Sequence, residues 1–246
     1  MLAAGAALFS LSCFAETSEE LEDAAARLQY AFYTADAQSL QNVLRELEGY
    51  DVDERLEPLK SHHLAYGYWK LAQTQTHARR NGGSARDASG SAAKAVKTCI
   101  AHARAARERE PRLAEAYAIE AACDGMPSGL LGNFASGSCA RSRALRTALS
   151  LDPQGPRVLL VEALCSPRDA NDIARWRKVV EAFERAPPGS PGKPDWGHAE
   201  ALAQLGAGYL QQGNAVAARD ALERALVLAP DYADAQGLLA QAAASR

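Results

Sequence analysis

The sequence predicts an all-α protein, and three observations predict it. About a fifth of the residues are alanine, the strongest helix former, while isoleucine is nearly absent. Apolar residues make up 48% and charged residues 23%, too apolar for a disordered chain and without a collagen or low-complexity pattern. Proline and glycine gather in short stretches that separate helix-length segments. The 246 residues therefore read as one helical domain or an elongated helical array. Net charge is only −3 and the pI about 6.0, so bulk electrostatics favours no polyanion and nucleic acid is disfavoured as a partner.

Residues 1–15 (MLAAGAALFSLSCFA) are apolar and uncharged, and Glu16 then opens the acidic run ETSEELED. Such a segment is too short to span a bilayer but matches the apolar region of a secretory signal. Cleavage after Ala15 would place Ala15 at −1 and Cys13 at −3, both small enough for a signal peptidase. Basic residues, which usually precede the apolar run, are missing. A lipid anchor on Cys13 is the weaker alternative, since Ser10-Leu11-Ser12 fits a lipobox poorly. No later apolar run reaches about 18 residues, so no transmembrane segment is expected. The expectation is a periplasmic or secreted protein whose mature domain is 16–246.

Helices are predicted over 17–34, 37–48, 58–79, 89–109, 112–124, 138–151, 155–164, 168–185, 196–212, 215–228 and 231–244. Thr17 with Glu20 resembles a capping box, Asp36 caps the second helix, and Pro58 suits the first position of the third. The small polar stretch 81–92 (NGGSARDASGSA) reads as a loop before the fourth helix. Pro111, Pro153 and Pro230 each follow an alanine-rich helix, with Ala106, Ala148 and Ala225 five residues earlier. The segment 186–196 (APPGSPGKPDW) is stiffened by proline and leads into the ninth helix through Trp196. In the segment 124–138 (DGMPSGLLGNFASGS), Leu130, Leu131 and Phe134 sit among glycines. Apolar residues in so long a loop either fold back onto the helices or await a partner.

Counting from Ala199, Leu202, Leu205, Gly206, Tyr209, Gly213, Ala218, Leu222, Ala225 and Pro230 recur at a fixed spacing. This stretch, 199–232, resembles a tetratricopeptide repeat, a helix–turn–helix unit. Leu202 and Leu222 stand where that family usually has bulky aromatics. Gly206 and Ala218 let the paired helices approach, Leu205, Tyr209 and Leu222 fill the space between them, and Pro230 ends the second. The resemblance implies a right-handed α-solenoid of five antiparallel helix pairs with a C-terminal capping helix. Its helix order is similar to that of exported bacterial proteins with tetratricopeptide-like repeats, and the likeness thins toward the amino terminus.

Four cysteines remain after the leader, and an even count in an exported chain argues for two disulfides. Cys99 and Cys123 each lie twelve residues from Pro111, and Cys139 and Cys165 flank Pro153 by fourteen and twelve. Antiparallel helices joined at the proline bring such mirror positions level, which predicts Cys99–Cys123 and Cys139–Cys165. The rival pairing, Cys123–Cys139, would close the loop between them.

The family resemblance also implies a concave groove lined by the first helix of each pair. In the last repeat it points to Glu200, Ala203, Ala207, Leu210 and Gln211. A similar offset in earlier repeats adds Glu115, Ala118, Ala122, Arg157, Leu160 and Leu164. Repeats that clamp a C-terminal carboxylate need Lys, Arg or Asn there, which Ala203 and Ala207 do not supply, so an apolar peptide or partner helix fits better. The run His62-His63-Leu64-Ala65-Tyr66-Gly67-Tyr68-Trp69 concentrates aromatics, and Tyr66 and Trp69 are candidate interface anchors. His62 and His63 point about 100° apart on a helix, too far to share one metal ion. No nucleophile elbow, phosphate loop or paired-His metalloprotease motif occurs; Gly206-Ala207-Gly208 lies inside a repeat helix with no strand before it. No catalytic, cofactor or metal residue is therefore assigned. The expected function is a non-enzymatic periplasmic scaffold that binds a protein or peptide through its groove or the 124–138 loop. The alternative is a small-molecule-binding accessory subunit of a bacterial solute uptake system, and a hydrolase with an unrecognised site is the weakest class.

Overall fold

The computed structural model describes residues 5–80, 85–126, 139–186 and 196–244; side chains are described from 18 to 76 and from 90 onward within those ranges. Among them are eleven helices and no strand: α1 (Gly5–Tyr33), α2 (Ala37–Glu48), α3 (Glu57–Arg80), α4 (Ala85–Arg109), α5 (Ala114–Asp124), α6 (Arg143–Leu151), α7 (Pro156–Cys165), α8 (Asp172–Arg185), α9 (His198–Gln211), α10 (Ala215–Leu228) and α11 (Ala233–Ala244). α1 and α2, α3 and α4, α5 and α6, α7 and α8, and α9 and α10 pack as successive pairs, and α11 covers α9 and α10. An all-α array of five successive helix pairs and a last helix is thus present among the described residues.

Local chemistry accounts for the helix ends. Asp36 caps α2 as expected, its carboxylate accepting from the backbone N–H groups of Gln38 and Ser39. α6 starts at Arg143 rather than 138, because the Ser142 hydroxyl accepts from the Leu145 N–H and fixes the first turn there. α8 starts at Asp172 rather than 168, since Asp169 accepts from the Asn171 N–H and holds a turn. Two expected boundaries move outward. α4 begins at Ala85, inside the stretch 81–92 expected to be a loop, and α1 begins at Gly5 rather than 17. Alanine at 85, 88, 92 and 93, and the apolar residues before 16, favour continuation of the helix over a break.

Within the last repeat the packing follows the predicted contacts. A Cβ on Gly206 would lie 2.6 Å from Leu222 Cγ, so only glycine admits this approach of α9 and α10. Gly213 has φ +73°, the left-handed conformation that turns the chain between them. Cys99 is bonded to Cys123, joining α4 to α5, and Cys139 to Cys165, joining the residues before α6 to the end of α7.

The ends of the array meet. The Tyr33 and Tyr232 rings lie with centroids 4.7 Å apart, Phe32 and Tyr232 6.2 Å apart, and the Tyr30 hydroxyl bonds to the Asp231 carboxylate. The end of α1 therefore rests on the residues that lead into α11, and the row of pairs curls back on its beginning.

Candidate functional site

Because the array curls, its inner face is filled by its own side chains. On α3, His62, Tyr66 and Lys70 recur at four-residue spacing and form one stripe. Opposite them stand Glu115 of α5, Arg157 of α7, Trp196 just before α9, and Glu200 in the first turn of α9. Trp196 packs on Tyr66 at 5.0 Å and edge-on against Trp69 at 6.0 Å. Lys70 is fully buried, and its Nζ donates to Glu200 Oε2 at 2.5 Å. The same ammonium lies 3.9 Å from the Trp69 ring centroid and 4.3 Å from that of Phe32, so an aromatic box surrounds it. Burial pushes the Lys70 ammonium below its usual range, against the pull of Glu200.

A second cluster sits about two turns toward the start of α3, at His62. The Glu115 carboxylate faces His62 Nε2 at 3.3 Å and accepts from Arg157 at 3.1 Å, while Arg157 Nε donates to the Trp196 carbonyl. Desolvation pushes the Glu115 carboxyl up, but the His62 contact and the Arg157 charge outweigh it and hold the group at about 2. Burial, with the neighbouring His62, pushes His63 down to about 3, so this imidazole is neutral at pH 7.

A pH dependence follows. The unfolded chain protonates His63 near its usual 6.5, whereas the folded chain resists to about 3, so stability drains as pH falls from 6.5 toward 3. The stability Glu115 contributes is complete above 4.5 and is lost as pH falls through about 2. We expect the melting temperature to fall steadily below pH 6.5, and His63→Leu to flatten the upper part of that slope. An unchanged slope in His63→Leu would remove His63 from the account.

The groove residues divide. Glu115, Arg157 and Glu200 come together at the centre, in ion pairs with partners on the facing helices. Ala118, Ala122, Leu160 and Ala203 are buried, as are Tyr66 and Trp69, exposed by only 2% and 1%. That differs from an open groove with a surface aromatic patch, and the reason is the curl, which lays α3 and Trp196 over the inner face. Leu164, Ala207 and Leu210 are half-buried and Gln211 is exposed, toward the C-terminal ends of α7 and α9. Leu130, Leu131 and Phe134 lie outside the described residues. Lys70, Phe32 and Tyr232 belong to no motif in the sequence; a lysine one residue after the aromatic run that ends at Trp69 is the one signal they leave there.

Two open hollows lie on the outside. One of about 510 Å³ is edged by Glu19, Glu20, Asp23, Arg27, Glu46 and Tyr50; another, of about 260 Å³, lies between α8, α9 and α10. Among the described residues, no three His, Cys, Asp or Glu side chains are grouped to hold a metal ion, and no helix is long and apolar enough to cross a membrane.

No protein-family model and no curated protein sequence matches the chain. Among solved structures, it is similar to a thermophilic tetratricopeptide-repeat protein of Thermus thermophilus, with 16% identity over 78% of this chain and 100% of that one, at a TM-score of 0.40.

Proposed function

We propose that this chain is a non-enzymatic scaffold of an oxidising, extracytoplasmic compartment, which holds a protein or peptide partner on the rim of its inner face. The observation that carries this reading is the rim itself: Leu164, Ala207 and Leu210, half-buried at the ends of α7 and α9, beside the exposed Gln211. Small and apolar positions edged by an amide suit a helix or extended peptide. The central polar groups of the groove are engaged with one another, His62 and Arg157 on Glu115 and Lys70 on Glu200, which favours a structural rather than a chemical role for them. Export behind residues 1–15 is supported by the two disulfides, which persist in oxidising compartments. Leu130, Leu131 and Phe134 offer a second contact for the same partner.

A photo-crosslinking residue at Gln211 tests this in intact cells, against a control at Lys97, which is exposed on α4. The same protein should be captured at 211 and not at 97, and Leu210→Asp should reduce its yield about tenfold. Equal capture at both positions, or indifference to Leu210→Asp, would sink the rim as the binding site.

A further inference from the structure

The smaller outer hollow, of about 260 Å³, is a trough whose shape follows from the directions of three helices. Gly197 lies against Phe183, and Gly208 against Ile173, so α8 and α9 run antiparallel. The tight turn at Gly213 makes α9 and α10 antiparallel as well. Thus α8 and α10 run in the same direction as two walls, with α9 as the floor between them. The Arg224 guanidinium bonds to the Glu184 carboxylate, 40 positions earlier, which sets the register of the walls and closes one end. By that register Asp220 stands within one position of level with Glu181, and Arg177 level with Ala217.

Three charged side chains of the trough are in no ion pair among the described residues: Arg177, Glu181 and Asp220. Arg177 is nevertheless held in place. Its Nε donates to the Tyr209 hydroxyl at 2.8 Å, and its guanidinium lies 5.6 Å from the Tyr209 ring centroid. A guanidinium positioned through Nε keeps its two terminal nitrogens as a fork for a carboxylate. Glu181 is four positions further along α8, about 6 Å by helical rise, and faces Asp220 across the trough. Buried Val180, Leu205 and Ala221 make the base apolar.

One positive position, two negative positions a turn further on, and an apolar base complement a zwitterion with an aliphatic substituent. A purely cationic ligand would meet Arg177, and a purely anionic one would meet Glu181 and Asp220. In an α-amino acid the carboxylate and ammonium flank one carbon, and charge-assisted hydrogen bonds of about 2.8 Å at each end let it span one turn. We infer that this trough binds a free α-amino acid with an aliphatic side chain, its carboxylate on Arg177 and its ammonium between Glu181 and Asp220. The site lies outside the array and is independent of any partner on the inner face. So small and open a trough gives dissociation constants of about 0.1–5 mM.

Titration of the full, oxidised chain with L-leucine, followed by amide chemical shifts, tests this. Saturable shifts are expected in α8, α9 and α10. Leucinamide, which lacks the carboxylate, and N-acetyl-leucine, which lacks the ammonium, should each bind about tenfold more weakly or worse. The same loss of L-leucine binding is expected from Arg177→Met and from Asp220→Asn. Asp220 is exposed, so Asp220→Asn should leave the melting curve unaltered while binding falls. Absence of saturable shifts up to about 20 mM L-leucine overturns the inference. So does equal binding of either blocked derivative, and so does indifference of L-leucine binding to Asp220→Asn.

Discussion

Lys70→Ala is expected to destabilise the protein by about 3–5 kcal/mol, more than any other single substitution on the inner face. The ammonium is fully buried, bonded to a Glu200 carboxylate that is itself only 8% exposed, and boxed by Phe32, Trp69, Tyr66 and Trp196. Truncation leaves Glu200 buried without its counterion, while its Oε1 already lacks a hydrogen-bond partner among the described residues. A void also opens between aromatic rings from α1, α3 and the start of α9, where lost packing adds to the electrostatic loss. Replacing both partners by apolar residues of similar volume, as in Lys70→Met with Glu200→Leu, removes the unpaired charge and should recover most of the loss. Urea denaturation of the two single variants and the double one reads this as a coupling energy. Additive single losses would mean that the two groups do not act as a pair.

Removing both disulfides should cost about 7 kcal/mol, or about 3.5 kcal/mol for each, by the chain entropy their loops return to the unfolded state. The bridged residues are 24 and 26 positions apart, which sets that magnitude. The second bridge matters most locally. α6 has nine residues and buries only Leu145 and Ala148, so the Ser142 cap and Cys139–Cys165 are what secure its start. The variant Cys139→Ala/Cys165→Ala should therefore show increased hydrogen exchange in α6, whereas Cys99→Ala/Cys123→Ala should lower global stability with α6 kept. Chemical denaturation with and without reductant checks the sum. A combined loss below about 1 kcal/mol would show that the bridges constrain little that the core does not already hold.

Much of the fold is legible in the residues. Helix-ending prolines, alanines at close-packing positions and Gly206 against Leu222 are short-range signals, set by backbone and steric rules that act within one pair of helices. The cysteine pairing follows from the same rules, since mirror positions about a turn become neighbours. Contact between distant pairs is what the residues do not announce. Glu200 is legible as an inner-face position, but its partner lies 130 residues earlier, and no local period connects Lys70 to it. Tyr66 and Trp69 carry the composition of an interface and make one, though with Trp196 of the same chain. The helix starts that differ, at α1, α4, α6 and α8, depend on the balance of alanine and apolar propensity against turn-forming Asp, Ser and Gly, where small differences decide.

The meeting of α1 with the residues before α11 also bears on how the chain comes apart. An open row of repeats behaves as a one-dimensional chain: its terminal units have one neighbour and fray first, and unfolding spreads inward. Here the first helix has a neighbour 201 positions along the sequence, through Tyr30 and Asp231, as well as the one beside it. Melting either end must break that long-range contact, so partly unfolded states lose the advantage they have in an open array. Such contacts also raise the contact order, and folding should be slower than the all-helical content alone would imply. The curl converts a row that unzips into a body that opens as a whole.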